Sequence, residues 1–164
     1  NSKFYKEIYD FLHSKKLHNY LKDNNLELDF KLHPIFKEYS YLFKLKDVEN
    51  VSLNYEKTII GEYKIFITDF SSFQFDFVKL KRPIIYFMPD IKEFNAGLHS
   101  YRELDLSYED AFGTLCLTSN ELIKEMKKVS KNEYKVDKKY IKRMDNFFIE
   151  INNPTDIIYK EIIK

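Results

Sequence analysis

The residues with the clearest capacity for chemistry lie in the stretch ITDFSSFQFDF, residues 67–77. An apolar run, Ile65-Phe66-Ile67, leads directly into Thr68, Asp69, Ser71 and Ser72, and a helical apolar pattern starts straight after it. Hydroxyls and a carboxylate crowded at a strand-to-helix turn suit two jobs. One is capping: Ser71 with Gln74 three residues on fits a capping box, and Asp69 or Ser72 could cap instead. The other is holding an anion, because free N–H groups at a helix start attract phosphate and adjacent hydroxyls add donors. Capping is the commoner use of such residues, yet it needs only one of them. No glycine-rich loop is present, which excludes a P-loop and a dinucleotide fingerprint.

A second candidate is His33 in KLHP, at the end of an alternating stretch. Pro34 keeps its predecessor extended and opens the next segment. A lone histidine is usually structural; at a ligand-binding edge it can donate to a diphosphate or act as acid or base near neutral pH. His13 and His18, five apart in a helical stretch, do not share one face and are read as solvated, and His99 has no assigned role. Asp69 and Asp76 lie seven apart and the histidines are scattered, so no metal and no cofactor is expected. The single cysteine, Cys116 in TLCLT, is read as a buried structural thiol. With 27 Lys plus Arg against 26 Asp plus Glu, the net charge of +1 argues against a nucleic-acid partner. No apolar run approaches the length of a membrane span.

The elements that must position these residues follow from periodicity. Residues 3–23 carry Phe4, Ile8, Phe11, Leu12, Leu17 and Leu21 at roughly helical spacing. LELDFKLHP alternates as a strand, residues 35–44 read as a short helix, and 50–53 as a weak strand. YKIFIT (63–68) and PIIYFM (83–88) resemble fully buried parallel strands, with helical periodicity over 71–80 between them. A loop-rich segment, 89–112, precedes the strand 114–118; Ser119, or Asn120, caps the helix that follows. Two closing helices are expected over 137–151 and 154–164. Strands alternating with helices imply an α/β domain with a parallel sheet, whose ligands bind beyond the carboxyl ends of the strands. That edge comprises 33–34, 54–56, 68–72, 89–100 and 118–120.

Taken together, three blocks carry a family resemblance: His33-Pro34; then Asp69-Phe70-Ser71-Ser72-Phe73-Gln74-Phe75-Asp76; then Lys81-Arg82-Pro83 and an apolar strand. With TSNELIKEM downstream, this pattern resembles the carboxy-terminal part of the CDP-glycerol glycerophosphotransferase family, over about residues 3–130. These are the teichoic-acid polymerases and primases of Gram-positive bacteria and their relatives in capsule synthesis. The Asp-Phe-Ser-Ser block with its Phe-Asp extension is the specific element; the His-Pro pair alone is weak.

The resemblance implies the carboxy-terminal, donor-binding lobe of a GT-B fold, a Rossmann-like parallel sheet with flanking helices. On that basis residues 1–164 are expected to form a single lobe of a longer two-lobed enzyme, inactive by itself, with an amino-terminal lobe as its missing partner. Family members transfer glycerol phosphate from CDP-glycerol to a hydroxyl of a polyol-phosphate or glycan acceptor and release CMP. Carried over, His33 contacts the donor diphosphate as the catalytic residue, Ser71 and Ser72 bind its phosphates, Asp69 supports the turn, and Asp76 faces donor or helix. Arg102 is a candidate substitute cation, because the loop position where many members carry Arg-Gly reads Ala96-Gly97 here, and their Pro-Gly before the last strand reads Phe112-Gly113. These departures leave another CDP-polyol open as donor. The family works in the cytoplasm at the inner face of the cell membrane, and a peripheral location follows for the full-length protein. Two rivals remain: a GT-B lobe that transfers a sugar from a nucleotide sugar, and a degenerate, non-catalytic binding domain.

Overall fold

The computed structural model describes residues 2–55, 59–69, 71–97, 107–148 and 153–163. The elements are α1 (Lys3–Leu12), α2 (Lys15–Asp23), β1 (Leu28–Phe30), a 3-10 segment (Pro34–Phe43), β2 (Val51–Leu53), β3 (Phe66–Thr68) and α3 (Gln74–Lys79). Then come β4 (Ile84–Phe87), α4 (Ile91–Asn95), β5 (Gly113–Cys116), α5 (Ser119–Lys131), α6 (Lys138–Phe147) and α7 (Pro154–Ile162). All strand pairs are parallel: β1 with β2, and β3–β4–β5 with β4 central.

Alternation along the strands sorts the core into two faces, as period-two geometry requires. Ile85 and Phe87 of β4, Cys116 of β5 and Val51 of β2 join Phe11, Leu12, Leu17 and Leu21 of α1–α2 and Leu122 and Met126 of α5. Leu28, Phe30, Ile65 and Ile67 pack against this same cluster, which draws both sheets onto one helical layer. The opposite face gathers Ile84, Tyr86 and Met88 with Phe77 and Val78 of α3, Ile91 of α4 and Met144 of α6. The product is the helix–sheet–helix layering of a parallel α/β domain.

Residues 3–23 form two helices rather than one. Leu12 and Leu17 are both essentially inaccessible, but five residues rotate a straight helix about 140° off its apolar stripe. Breaking at His13–Ser14 lets both halves face the same core. Two histidines close the joint: His18 Nε2 donates to the Leu12 carbonyl at 2.7 Å, and His13 Nε2 donates to the Phe43 carbonyl at 2.7 Å. They are therefore partly buried staples, not solvated residues. The strands are shorter than the apolar runs, and the stretch after His33 is a 3-10 segment with Ile35, Phe36 and Tyr41 exposed. α6 ends at Phe147, whereas α7 has no buried residue. No described helix is long and apolar enough to cross a membrane.

Two close approaches pin the sheet. A Cβ on Gly113 would lie 1.9 Å from the Ile84 carbonyl oxygen, so only glycine lets β5 start against β4. At the β1–β2 pair, Asp29 accepts from Ser52 Oγ (3.0 Å), Asn54 Nδ2 (2.8 Å) and the Tyr63 hydroxyl. Burial alone pushes the Asp29 carboxyl up, but the bonds from Tyr63, Asn54 and Ser52 outweigh it and hold the carboxyl below its ordinary value. The Tyr63 hydroxyl, donating to that carboxylate, is pushed up to about 12.

Candidate functional site

His33, Asp69 and Ser119 all follow the carboxyl ends of strands, β1, β3 and β5 respectively. The turns they occupy differ in how their polar groups are used. At β5–α5 the N-cap is Thr118, not Ser119 or Asn120: its Oγ1 accepts from Glu121 N at 3.3 Å, and Glu121 Oε2 accepts from Thr118 N and Leu117 N at 3.2 and 2.8 Å. Ser119 N donates to Glu7 Oε2 of α1 at 2.9 Å. This helix start is filled by the protein's own carboxylates.

The β3–α3 turn is different. Ser71 Oγ accepts from Phe73 N at 3.2 Å, a local turn bond. The expected Ser71–Gln74 capping box does not form, because α3 starts only at Gln74 with Phe73 at its N-cap position and no side-chain cap bond. Gln74 faces inward instead, where its Oε1 accepts from the Tyr86 hydroxyl at 2.5 Å. Among the described residues, the Ser72 hydroxyl and the N–H groups of Ser71 and Ser72 have no hydrogen-bond partner. At six residues α3 is a short dipole, so hydroxyls and turn N–H groups must do most of any anion binding here. Aromatic contacts fix the helix: Phe66 stacks on Phe77 at 4.2 Å, Phe73 meets both edge-on, and Phe75 stacks on Phe147 of α6 at 5.1 Å.

His33 is exposed, with the extended backbone that precedes proline. Its Nδ1 accepts from Ile35 N at 3.4 Å, which leaves Nε2 to carry the proton of the neutral ring and point a donor outward. Its ring meets Phe36 edge-on at 6.5 Å. Among the described residues no hydrogen bond joins His33 to the Ser71–Ser72 turn. Asp76 lies exposed in the first turn of α3, where a carboxylate favours the helix. Arg102, His99 and Phe70 lie outside the described residues. Cys116 is 2% exposed and burial pushes its thiol up to about 12, the state of a structural thiol.

The structure adds residues that motif reading missed. Asp69 is half-buried, and its charge, with that of Asp90 after β4, acts on Tyr108. Burial, then the carboxylate of Asp69, then Tyr86 and Asp90, raise the Tyr108 hydroxyl well above the ordinary tyrosine value. Tyr108 and Tyr86 meet edge-on at 5.6 Å, and Phe112 N donates to the Tyr86 hydroxyl at 3.4 Å. Only the tyrosines themselves signalled this cluster in the sequence, and Tyr108 fell in a stretch read as loop. Among the described residues no group of three or more His, Cys, Asp or Glu could hold a metal ion.

Comparison with known proteins bears on the family and the fold. The family model of CDP-Glycerol:Poly(glycerophosphate) glycerophosphotransferase matches residues 3–156. The minor teichoic acid biosynthesis protein GgaB of Bacillus subtilis (strain 168) is 28% identical over 168 residues, covering 100% of this chain and 18% of its own length. The teichoic acid poly(glycerol phosphate) polymerase of the same organism is 33% identical over 101 residues, 61% of this chain and 13% of that protein. A structure of the wall teichoic acid polymerase TagF soaked with CDPG superposes with a TM-score of 0.63 at 24% identity, covering 94% of this chain and 38% of that one. The likeness to TagF shows the fold, a Rossmann-like α/β lobe of the GT-B class. This chain thus spans well under half the length of each of these relatives. With the model matched along almost its whole length, the chain belongs to the CDP-glycerol:poly(glycerophosphate) glycerophosphotransferase family.

Proposed function

We propose that residues 1–164 are the donor-binding lobe of a longer transferase. It moves glycerol phosphate, or a related polyol phosphate, from a CDP-linked donor to a hydroxyl of a cell-wall or capsule polymer. The observation that carries this reading is the contrast between two strand ends: β5–α5 is closed by Glu121 and Glu7, while the Ser71–Ser72 turn keeps polar groups open to a ligand.

The chemistry asks little covalent work of the protein. The acceptor oxygen attacks the phosphorus that bears glycerol, the bond to the bridging oxygen breaks, and CMP leaves with that electron pair. Such transfers are accelerated mainly by positioning and by stabilising charge on phosphate oxygens. Ser71 and Ser72 donate to those oxygens from one strand end. His33 donates from Nε2 at another, toward the phosphate that departs with CMP. Asp69 supports the turn from its base, and the second lobe completes the cleft and brings the acceptor.

The test is calorimetry on the full-length protein with CDP-glycerol, then with CDP-ribitol, UDP-sugars and GDP-sugars. Ser71→Ala/Ser72→Ala is expected to weaken CDP-glycerol binding at least tenfold with only a modest change in melting temperature. Unchanged affinity in this variant sinks the phosphate role. A preference for a nucleotide sugar over CDP-polyols replaces the reaction with glycosyl transfer, and no binding of any donor leaves a non-catalytic domain.

A further inference from the structure

We propose that Tyr86 is a positioning residue for the donor-binding turn, acting on Ser71 and Ser72 through Gln74, and that the Phe112 N–H orients its hydroxyl. This rests on the donor-binding reading above. The serine hydroxyls must be held where phosphate oxygens will arrive; the Ser72 carbonyl accepts from Phe75 N at 3.1 Å, but its hydroxyl has no bond of its own among the described residues. α3 has six residues and no side-chain cap, and Ser71 secures only the N–H of Phe73. Gln74 is the first residue of α3, two positions after Ser72, and its N–H bonds the Ser71 carbonyl at 3.3 Å. Whatever fixes Gln74 therefore fixes the turn.

Tyr86 does so from the middle of the three-stranded sheet. It lies on the central strand β4 and is 1% exposed. A tyrosine hydroxyl has one proton and can also accept. The Phe112 N–H donates to it from 3.4 Å, and its own proton goes to Gln74 Oε1, which can only accept, at 2.5 Å. The relay runs from the residue before β5, through the middle strand, to the start of α3.

A purely structural Tyr86 would fill the core with its ring, and Tyr86→Phe keeps the ring. The experiment is steady-state kinetics on the full-length protein with CDP-glycerol varied, for Tyr86→Phe, Gln74→Met, Ser71→Ala and the Tyr86→Phe/Ser71→Ala pair, with thermal melts alongside. Losing one aligned hydrogen bond is expected to raise the donor KM about three- to tenfold, with kcat changed less. Gln74→Met should match Tyr86→Phe. In the Ser71→Ala background the Tyr86 effect should shrink, because the turn it positions no longer contributes. If Ser71→Ala raises KM while Tyr86→Phe and Gln74→Met do not, the positioning role is wrong and the donor site stands. Fully additive effects overturn it too, since Tyr86 would then act through the core. If Ser71→Ala itself leaves KM unchanged, the donor-site reading fails first, and this one with it. Should Tyr86→Phe lower the melting temperature markedly, Gln74→Met, on half-buried α3 rather than in the sheet, decides alone.

Discussion

Asp29 and His33, four residues apart, show how differently one strand end treats its polar side chains. Asp29 spends both carboxylate oxygens on Ser52, Asn54 and Tyr63. Because its folded pKa is lowered, its stabilisation is fully present above the ordinary aspartate range and is lost as pH falls through the folded value. Asp29→Asn is expected to cost about 1–2 kcal/mol at neutral pH. It should also flatten the decline in stability as pH falls from the ordinary aspartate value of about 3.9 toward the lower folded one; urea melts of the full-length protein across pH check both. His33 keeps its Nε2 free of protein partners among the described residues. In the full-length enzyme His33→Ala is expected to reduce transfer severely with little change in melting temperature. His33→Gln should recover part of the donor binding, since an amide still donates but cannot ionise. Near-normal transfer by the alanine variant, or unfolding that accounts for the loss, would return His33 to a structural role.

At the scale of elements, the strand-to-helix turns do opposite work with similar residues. Thr118 and Glu121 build a complete capping box, so α5 starts sharply, with the N–H groups of Glu121 and, through Glu7, of Ser119 spent. Ser71 and Gln74 have the same spacing, yet Gln74 is drawn inward by Tyr86 and the box never forms. The start of β5 is governed by contact rather than capping. Gly113→Ala would drive a methyl group into the Ile84 carbonyl of the adjoining backbone, which has no side-chain freedom to yield. The expected cost is about 3 kcal/mol or more, with a clear fall in melting temperature. A stability change within about 0.5 kcal/mol would show that the two strands separate at their start.

For the whole molecule, the share of relatives covered decides what this chain can do alone. On the proposed reading, the donor turn needs an opposing lobe to close a cleft, exclude water and hold the acceptor in line. Residues 1–164 by themselves are therefore expected to release no CMP from CDP-glycerol, while the full-length protein does. Circular dichroism establishes that the isolated chain is folded, and turnover by it would show that one lobe suffices.

The α/β class, the parallel pairing and the position of the β3–α3 turn were legible in the amino-acid order, because period-two and helical patterns are local and the DFSS block is contiguous. The His33-Pro34 strand end was legible for the same reason. What the order could not disclose was every feature that joins distant segments. The α1–α2 break arises because Leu12 and Leu17 must reach one core through helices that a straight stripe would misalign. His13 and His18 became staples only once Phe43 and Leu12 presented carbonyls to them. Whether Gln74 caps its own helix or binds Tyr86, twelve residues later, depends on which partner lies nearer after β4 is laid beside β3. The sequence by itself determined the alternation of strands and helices and which polar residues stand at their ends. Only the tertiary structure decided which polar groups were consumed by the protein and which stayed open to a ligand, because a hydrogen-bond donor is spent by whatever acceptor the fold brings within about 3 Å of it.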